Sequence, residues 1–368
     1  MSQPNPVDVF QPAPPSRPRD PRLTVMAVSG LLALGLGAAA VLLPAPYVVE
    51  SPGPTFNTIG EVDSEPLINV SGREVFPTTG DLDLTTVFVS GGPGTQISIF
   101  DAFRAWVDPT QAVTPRELVY PPEVTQSDIQ EQNAVAMTSS QEAAVAAALA
   151  NLDIQFSETL TVIDLPEESA SAGILQTGDV LTSIDGTEIS SLNFLKDALN
   201  SAAGGSVDIG VVRDGDDVIE TITPIESDTG DFQLGVFLNS EFSFPFEVDI
   251  ALNNVGGPSA GTMFALGIID KLTEGEMTGG RHFAGTGTID SAGNVGGIGG
   301  IRQKLVGARD AGAEVFLAPA VNCDEVVGHV PDGLRVVSVQ TLDDAVEAVS
   351  ALGSENDDGA SLPTCSAG

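Results

Sequence analysis

The sequence predicts an α+β protein preceded by a single membrane-spanning helix, and three observations predict it. Leu23 to Leu43 is a run of 21 residues without a charge. Residues 155 to 240 consist of short β-branched runs punctuated by Gly-Asp, Asp-Gly and Gly-Gly turns. The strand-like run Val248-Asp249-Ile250-Ala251-Leu252 then leads through a glycine-rich turn into an apolar helix pattern that ends near Leu272. With 368 residues, the chain has room for about two domains with real cores.

Composition removes several function classes. The chain carries 51 acidic and 14 basic residues, a formal charge of −37. Nucleic acid is therefore not expected as a partner, because a phosphate backbone is held by Lys and Arg. Two His, two distant Cys and no H-E-x-x-H or C-x-x-C grouping leave no expected metal site. A positive mean hydropathy argues against a disordered chain.

Residues 1–22, rich in Pro and polar residues and carrying Arg17, Arg19 and Arg22, read as a disordered cytoplasmic tail. Residues 23–43 are long enough, at about 1.5 Å per residue, to cross a hydrocarbon core of about 30 Å. A cleaved signal peptide is the competing reading, since Pro44-Ala45-Pro46 supplies small residues, but such apolar regions run only about 7 to 15 residues. The arginines before the span and none just after it place the N-terminus in the cytoplasm and the rest outside the cell membrane. Cys323 and Cys365 would then lie where disulfides persist, and their pairing stays open.

Beyond the span, 44–53 reads as a Pro- and Gly-rich exit, 82–89 as a strand, 91–94 and 119–132 as loops, and the alanine-rich 140–152 as a helix. Within 155–240 one helix is expected at Leu192 to Ala202. The string from Ser169 to Leu181, with Ala172-Gly173-Ile174 and Gly178-Asp179, followed by Ile184-Asp185-Gly186 and Arg213-Asp214-Gly215, resembles the PDZ pattern. That resemblance implies recognition of an extended peptide at an open sheet edge. It also likens Phe232-Gln233-Leu234-Gly235-Val236 to a carboxylate-binding loop, with Leu234, Gly235 and Val236 as peptide-binding residues; an ordinary hairpin is the plainer alternative.

Asn253-Asn254-Val255-Gly256-Gly257-Pro258-Ser259-Ala260-Gly261 places Ser259 where a glycine-rich turn enters a helix. Backbone N–H groups there can face an oxyanion, which makes Gly256, Gly257 and Ser259 the expected oxyanion region. A serine at this position can equally be only a cap, and Gly257-x-Ser259-x-Gly261 also fits the nucleophile elbow of α/β-hydrolases. The chain has three lysines, of which Lys196 lies in the PDZ-like region and Lys271 lies too far along the serine's own helix. Lys304, on an expected helix from Gly300 to Ala311, sits at the edge of the Ile301, Leu305, Ala308 stripe. It is either a snorkelling surface lysine or, once desolvated, a neutral amine able to take the serine proton.

Gly257-Pro258-Ser259-Ala260-Gly261, with Thr286-Gly287-Thr288-Ile289-Asp290, the run Gly293 to Lys304 and Ala308-Arg309-Asp310-Ala311-Gly312-Ala313, resembles the proteolytic domain of Lon proteases. The exported chain as a whole is similar to membrane-anchored, PDZ-containing Lon-like serine proteases. The resemblance implies Ser259 as nucleophile, Lys304 as general base and Thr286 as the residue that helps hold the amine. It implies a Lon-type fold, 51–152 and 245–352, with the PDZ-like 155–240 inserted in it and 353–368 left as a disordered tail. Two features depart from the family. Gly256 stands where an acidic residue is common, and no G-x-x-x-x-G-K-[ST] motor motif occurs, so no ATP and no cofactor are expected. Protein or peptide substrates are the expected partners, and the oligomeric state is not specified. Two other readings stay open: an α/β-hydrolase using Ser259, Asp310 and His329, and a non-catalytic PDZ scaffold that binds exported peptides.

Overall fold

The computed structural model describes residues 21–62, 64–166, 169–227, 230–252, 255–354 and 359–366. The expected tail before Pro21 lies outside these. Helix α1 (Pro21–Leu42) has no buried residue, which suits an apolar helix with lipid rather than protein around it. Its 22 residues are long and apolar enough to cross a membrane.

The Pro- and Gly-rich exit is not irregular. Strand β1 (Tyr47–Asn57) runs through it and meets β2 (Asp81–Ser90), with a register break between Pro52 and Thr55 that absorbs the Pro-Gly-Pro stretch. Helix α2 (Ile99–Val107) and strand β3 (Ala112–Pro115) follow, then helix α3 (Gln126–Asn151). One correction to the expected elements belongs here. Ser98 and Asp101 form a capping box that starts α2, over residues for which no element was expected, and Thr125 and Asp128 form another that starts α3, so 126–132 is helix rather than the expected loop.

The next unit holds β4 (Ser157–Asp164), β5 (Val180–Ile184), α4 (Leu192–Ala202), β6 (Val207–Arg213), β7 (Asp216–Ile222) and β8 (Phe237–Ser243). Its strands form an antiparallel sheet in the order β7-β6-β5-β4-β8, with Thr187–Glu188 paired to β5. Leu160, Ile209, Val211, Leu195 and Leu199 fill a core of its own. Arg213 closes the unit with ion pairs to Asp179 at 2.7 Å and Glu220 at 3.0 Å. This is the PDZ-like domain, set between α3 and the second part of the Lon-type fold.

That second part contains α5 (Gly261–Leu272), β9 (His282–Gly285), α6 (Ile301–Asp310), β10 (Val315–Pro319), β11 (Arg335–Val339) and α7 (Leu342–Gly353). One six-stranded sheet, ordered β11-β10-β9-β2-β1-β3, joins the segments before and after the PDZ-like domain. β11, β10, β9 and β2 run parallel, whereas β1 is antiparallel to both neighbours. Alternate residues of β9 and β10 face opposite sides. Phe283, Val315 and Leu317 pack under α3, α5 and α7, while Ala284, Phe316 and Ala318 pack against α6. The sheet is thus covered on both faces, and the two residues of chemical interest arrive from opposite ones.

The C-terminal tail departs from the expected disorder. Cys323 and Cys365 form a disulfide. Leu362 is buried, the Ser338 amide donates to the Pro363 carbonyl at 2.9 Å, and the Arg335 guanidinium donates to the Gly359 carbonyl. An apolar leucine and a cysteine were enough to dock a segment that is otherwise polar. Residues 355–358 of the same expected tail lie outside the described residues.

Candidate active site

Strand β9 ends at Gly285, paired to Leu84 of β2, while β2 continues to Ser90. Past that end the sheet leaves a gap between the layer of α5 and the layer of α6. Ser259 reaches it from the turn before α5, Lys304 from the first turns of α6, and Thr286 is the first residue after β9. Lys304 Nζ lies 2.9 Å from Ser259 Oγ and 2.9 Å from Thr286 Oγ1. The Thr286 hydroxyl donates to the Ser259 carbonyl at 2.9 Å, so its oxygen keeps a lone pair for the lysine amine. The Gly287 amide donates to that same carbonyl at 2.9 Å. The backbone of Ser259 is therefore held by the strand end that also orients the lysine.

Lys304 is only 2% exposed, so it does not snorkel. Burial disfavours its charged form and lowers its pKa to about 8, an effect that Glu50 opposes by attraction. Glu50 stands on β1 and was not among the sequence-derived site residues. Nothing in its local sequence sets it apart, because only the pairing of β1 with β2 brings it near α6. Replacing Glu50 by Gln removes the opposing charge, and the pH–rate profile of the variant is expected to move to lower pH. An unmoved or alkaline-shifted profile would contradict that coupling.

The turn that carries Ser259 is clamped by α3. Ser140 Oγ donates to the Pro258 carbonyl at 2.9 Å, and the Gly257 amide donates to the Asn133 carbonyl at 3.3 Å. Gly257 has φ of +87°, which its lack of a Cβ permits. Its amide is thus already engaged, a correction to its expected oxyanion role. The Ser259 and Ala260 amides, at the positive end of α5, make no hydrogen bond among the described residues. Gly256 packs on Asn133, and a Cβ there would meet the Asn133 Cβ at 2.7 Å. An acidic side chain at 256 has no room unless α3 shifts. Ser140 and Asn133 were invisible as site residues because they look like ordinary polar positions of an alanine-rich helix.

A cleft of about 620 Å³ opens beside Ser259 and Lys304, walled by Leu84 to Phe88 of β2 on one side and Val255 to Gly257 on the other. The other sequence-derived residues lie apart from it. Leu234 is buried in the core of the PDZ-like domain, with its carbonyl accepting from Ser171 Oγ at 2.8 Å. Gly235, with φ of +72°, turns tightly against Ser169, and Val236 leads into β8. Asp310 and His329 are exposed, and the His329 ring is 3.1 Å from the Val327 carbonyl rather than near Ser259. The geometry of an α/β-hydrolase triad is therefore absent. Among the described residues, no group of His, Cys, Asp and Glu is arranged to hold a metal ion.

Thr286→Ala removes one of the two groups that hold the amine. It is expected to lower kcat about tenfold while leaving KM nearly unchanged, because Thr286 is buried behind the cleft rather than lining it. A loss as deep as that of Ser259→Ala would instead make Thr286 part of the reacting set.

Comparison with known proteins agrees with this geometry. Residues 252–351 match the family model described as the Lon protease (S16) C-terminal proteolytic domain. The Lon protease of Clostridioides difficile (strain 630) is 33% identical over 105 residues, which are 28% of this chain and 13% of that protein. The archaeal Lon protease of Methanocaldococcus jannaschii is 32% identical over 100 residues, 27% of this chain and 15% of its own length. The chain therefore spans only 13–15% of the length of these two curated relatives. Among solved structures, the PDZ domain of the SdrC-like protein from Listeria innocua is 26% identical and covers 22% of this chain and 91% of that one, at a TM-score of 0.21. Residues 252–351, the segment that presents Ser259, Thr286 and Lys304 to one another, therefore match the proteolytic domain of Lon proteases.

Proposed function

We propose that this protein is an ATP-independent serine endopeptidase, anchored in the cell membrane by α1 with its folded part outside the cytoplasm, that cuts unfolded or presented protein segments. The observation that carries the proposal is the approach of a 2% exposed lysine amine to within 2.9 Å of a serine hydroxyl at a helix N-terminus. In its neutral form the amine takes the Ser259 proton as Oγ attacks a substrate carbonyl carbon. The Ser259 and Ala260 amides face the oxyanion. Lys304 then returns the proton to the departing amine, leaving an acyl group on Ser259. Attack by water, with Lys304 again taking a proton, frees the new carboxylate and restores the hydroxyl.

The chain lacks a phosphate-binding motor motif and contains no Gly-Lys dipeptide, which supports a reading without ATP. A protease without a motor is limited to segments already extended, and that gives the PDZ-like domain the task of capturing them. The apolar α1 and its arginine flank support the anchor and its orientation.

Deleting 155–240 and bridging the ends with Gly and Ser tests the division of labour. Cleavage of a short unstructured peptide is expected to persist, while processing of a protein bearing a recognised peptide segment falls. Equal loss on both substrates would make the domain a structural support. Ser259→Ala should abolish both activities; a fully active Ser259→Ala chain would remove Ser259 as nucleophile, and a parent chain that binds peptides without cleaving them would leave only a scaffold.

A further inference from the structure

Helix α2 is built inside out. Its small residues, Ala102 and Ala105, are the buried ones, packed with Ala45, Val49 and Ile97. Its large apolar residues face outward: Phe100, Phe103 at 59% exposure, Trp106 at 73% and Val107. Phe103 and Trp106 lie side by side, with ring centroids 6.2 Å apart. A nine-residue helix that hides alanines and shows its aromatic rings to the outside does not contribute its apolar area to the core of this domain.

The position of α2 says what covers that face. Pro44 pairs with Ser98 and Ala45 with Ile97, and the Ile99 amide donates to the Leu43 carbonyl at 3.2 Å. The first residue of α2 is therefore fastened to the end of α1. At about 1.5 Å per residue, the length of α1 is close to the thickness of a hydrocarbon core, so that end stands at the membrane–water boundary. The turn of helix Arg116–Val119 belongs to the same corner, through the Arg116 amide and the Pro46 carbonyl at 3.0 Å, and it too exposes a leucine, Leu118. Tryptophan and aromatic rings at that depth are at home among headgroups and upper acyl chains.

We infer that Ile99–Val107 is a membrane-interface helix that lies in the surface of the bilayer spanned by α1, with Phe100, Phe103 and Trp106 at the boundary between headgroups and acyl chains. The inference rests on the proposed anchor. It adds a second attachment that fixes the tilt of the folded part. The loop that joins α2 to β2 also continues into the cleft wall at Val87 and Phe88, so the cleft is held facing chain segments near the membrane surface.

Trp106 is the only tryptophan of the chain, so the native protein carries its own probe. The full chain is reconstituted into phosphatidylcholine and phosphatidylglycerol vesicles with plain or brominated acyl chains, and flotation and tryptophan emission are read together. Flotation reports α1. Emission quenched at least about twofold by brominated lipid, and shielded from acrylamide, is the expected result. Phe100→Ser with Phe103→Ser should float equally, lose most of that quenching and cleave a soluble peptide at the normal rate. A chain that floats while Trp106 stays open to acrylamide and untouched by bromine overturns the interface helix and leaves the anchor standing. Shielding from acrylamide without bromine quenching means a second copy covers the face, and overturns it too. A chain that does not float overturns the anchor and the helix docking with it.

Discussion

Lys304→Met is expected to abolish peptide cleavage, by about a thousandfold or more, in a protein at least as stable as the parent. The two halves of that result have one cause. Burial holds the Lys304 pKa at about 8, below its ordinary 10.5. The unfolded chain therefore binds more protons at this site than the folded one between about pH 8 and 10.5, so stability rises with pH across that window. Below pH 8 the full penalty is present, on the order of 3 kcal/mol. Methionine fills a similar volume without that penalty but forfeits the contacts with Ser259 and Thr286. The net expectation runs from no change to about 2 kcal/mol of stabilisation. Lys304→Arg is expected to be equally inactive but less stable, because a guanidinium is larger and never gives up its proton here. Activity assays paired with thermal melts check both halves. A Met variant that is inactive only because it is unfolded would contradict the first prediction.

Cys365→Ser is expected to cause the largest loss of stability. The bond closes a loop with a sequence separation of 42 residues. A closed loop of that size restrains the unfolded chain by about 4 kcal/mol on an entropic estimate. The loss extends beyond the bond, since Cys365 ends the segment that buries Leu362 against the main core and carries the Pro363 carbonyl to Ser338. The tail docks on the edge strand β11, through Ser338, whereas the active site lies where β9 ends beside β2, so the folded variant should keep its kcat at moderate temperature. The check is a melt of parent and variant with and without reductant. Equal melting of the two under oxidising conditions would show that the bond contributes nothing.

The parts of the fold that were legible in the sequence are those decided by local pattern. Leu192–Ala202 is bounded in the structure as its periodicity and turn residues indicate, and the helix around Lys304 is shorter than expected by a single residue at each end. The capping boxes at Ser98 and Thr125 are equally local, but the polar turns that begin α3 lack the alanine run that marks its later part as helix. The tail around Leu362 was misjudged because its docking depends on one apolar contact and one covalent link to residues far away. The site divides in the same manner. Ser259 announces itself through its glycines, but nothing in the spacing of Lys304 reveals that it passes the end of β9 to reach the serine. Only the resemblance joined the two. Ser140, Asn133 and Glu50 act through pairings between elements distant in sequence, which no local pattern encodes.

The mechanism requires a Lys304 amine that gives up its proton near pH 8 rather than near 10.5, and the scarcity of lysine makes that directly measurable. Labelling the lysine Cε with carbon-13 gives three signals, from Lys196, Lys271 and Lys304, and Lys304→Met assigns the one of interest by its loss. Followed against pH in the intact, folded chain, the Lys304 signal is expected to titrate near pH 8, with kcat/KM for a small peptide rising through the same value. A Lys304 signal that titrates at the ordinary lysine value, in a chain fully active at neutral pH, would contradict the mechanism.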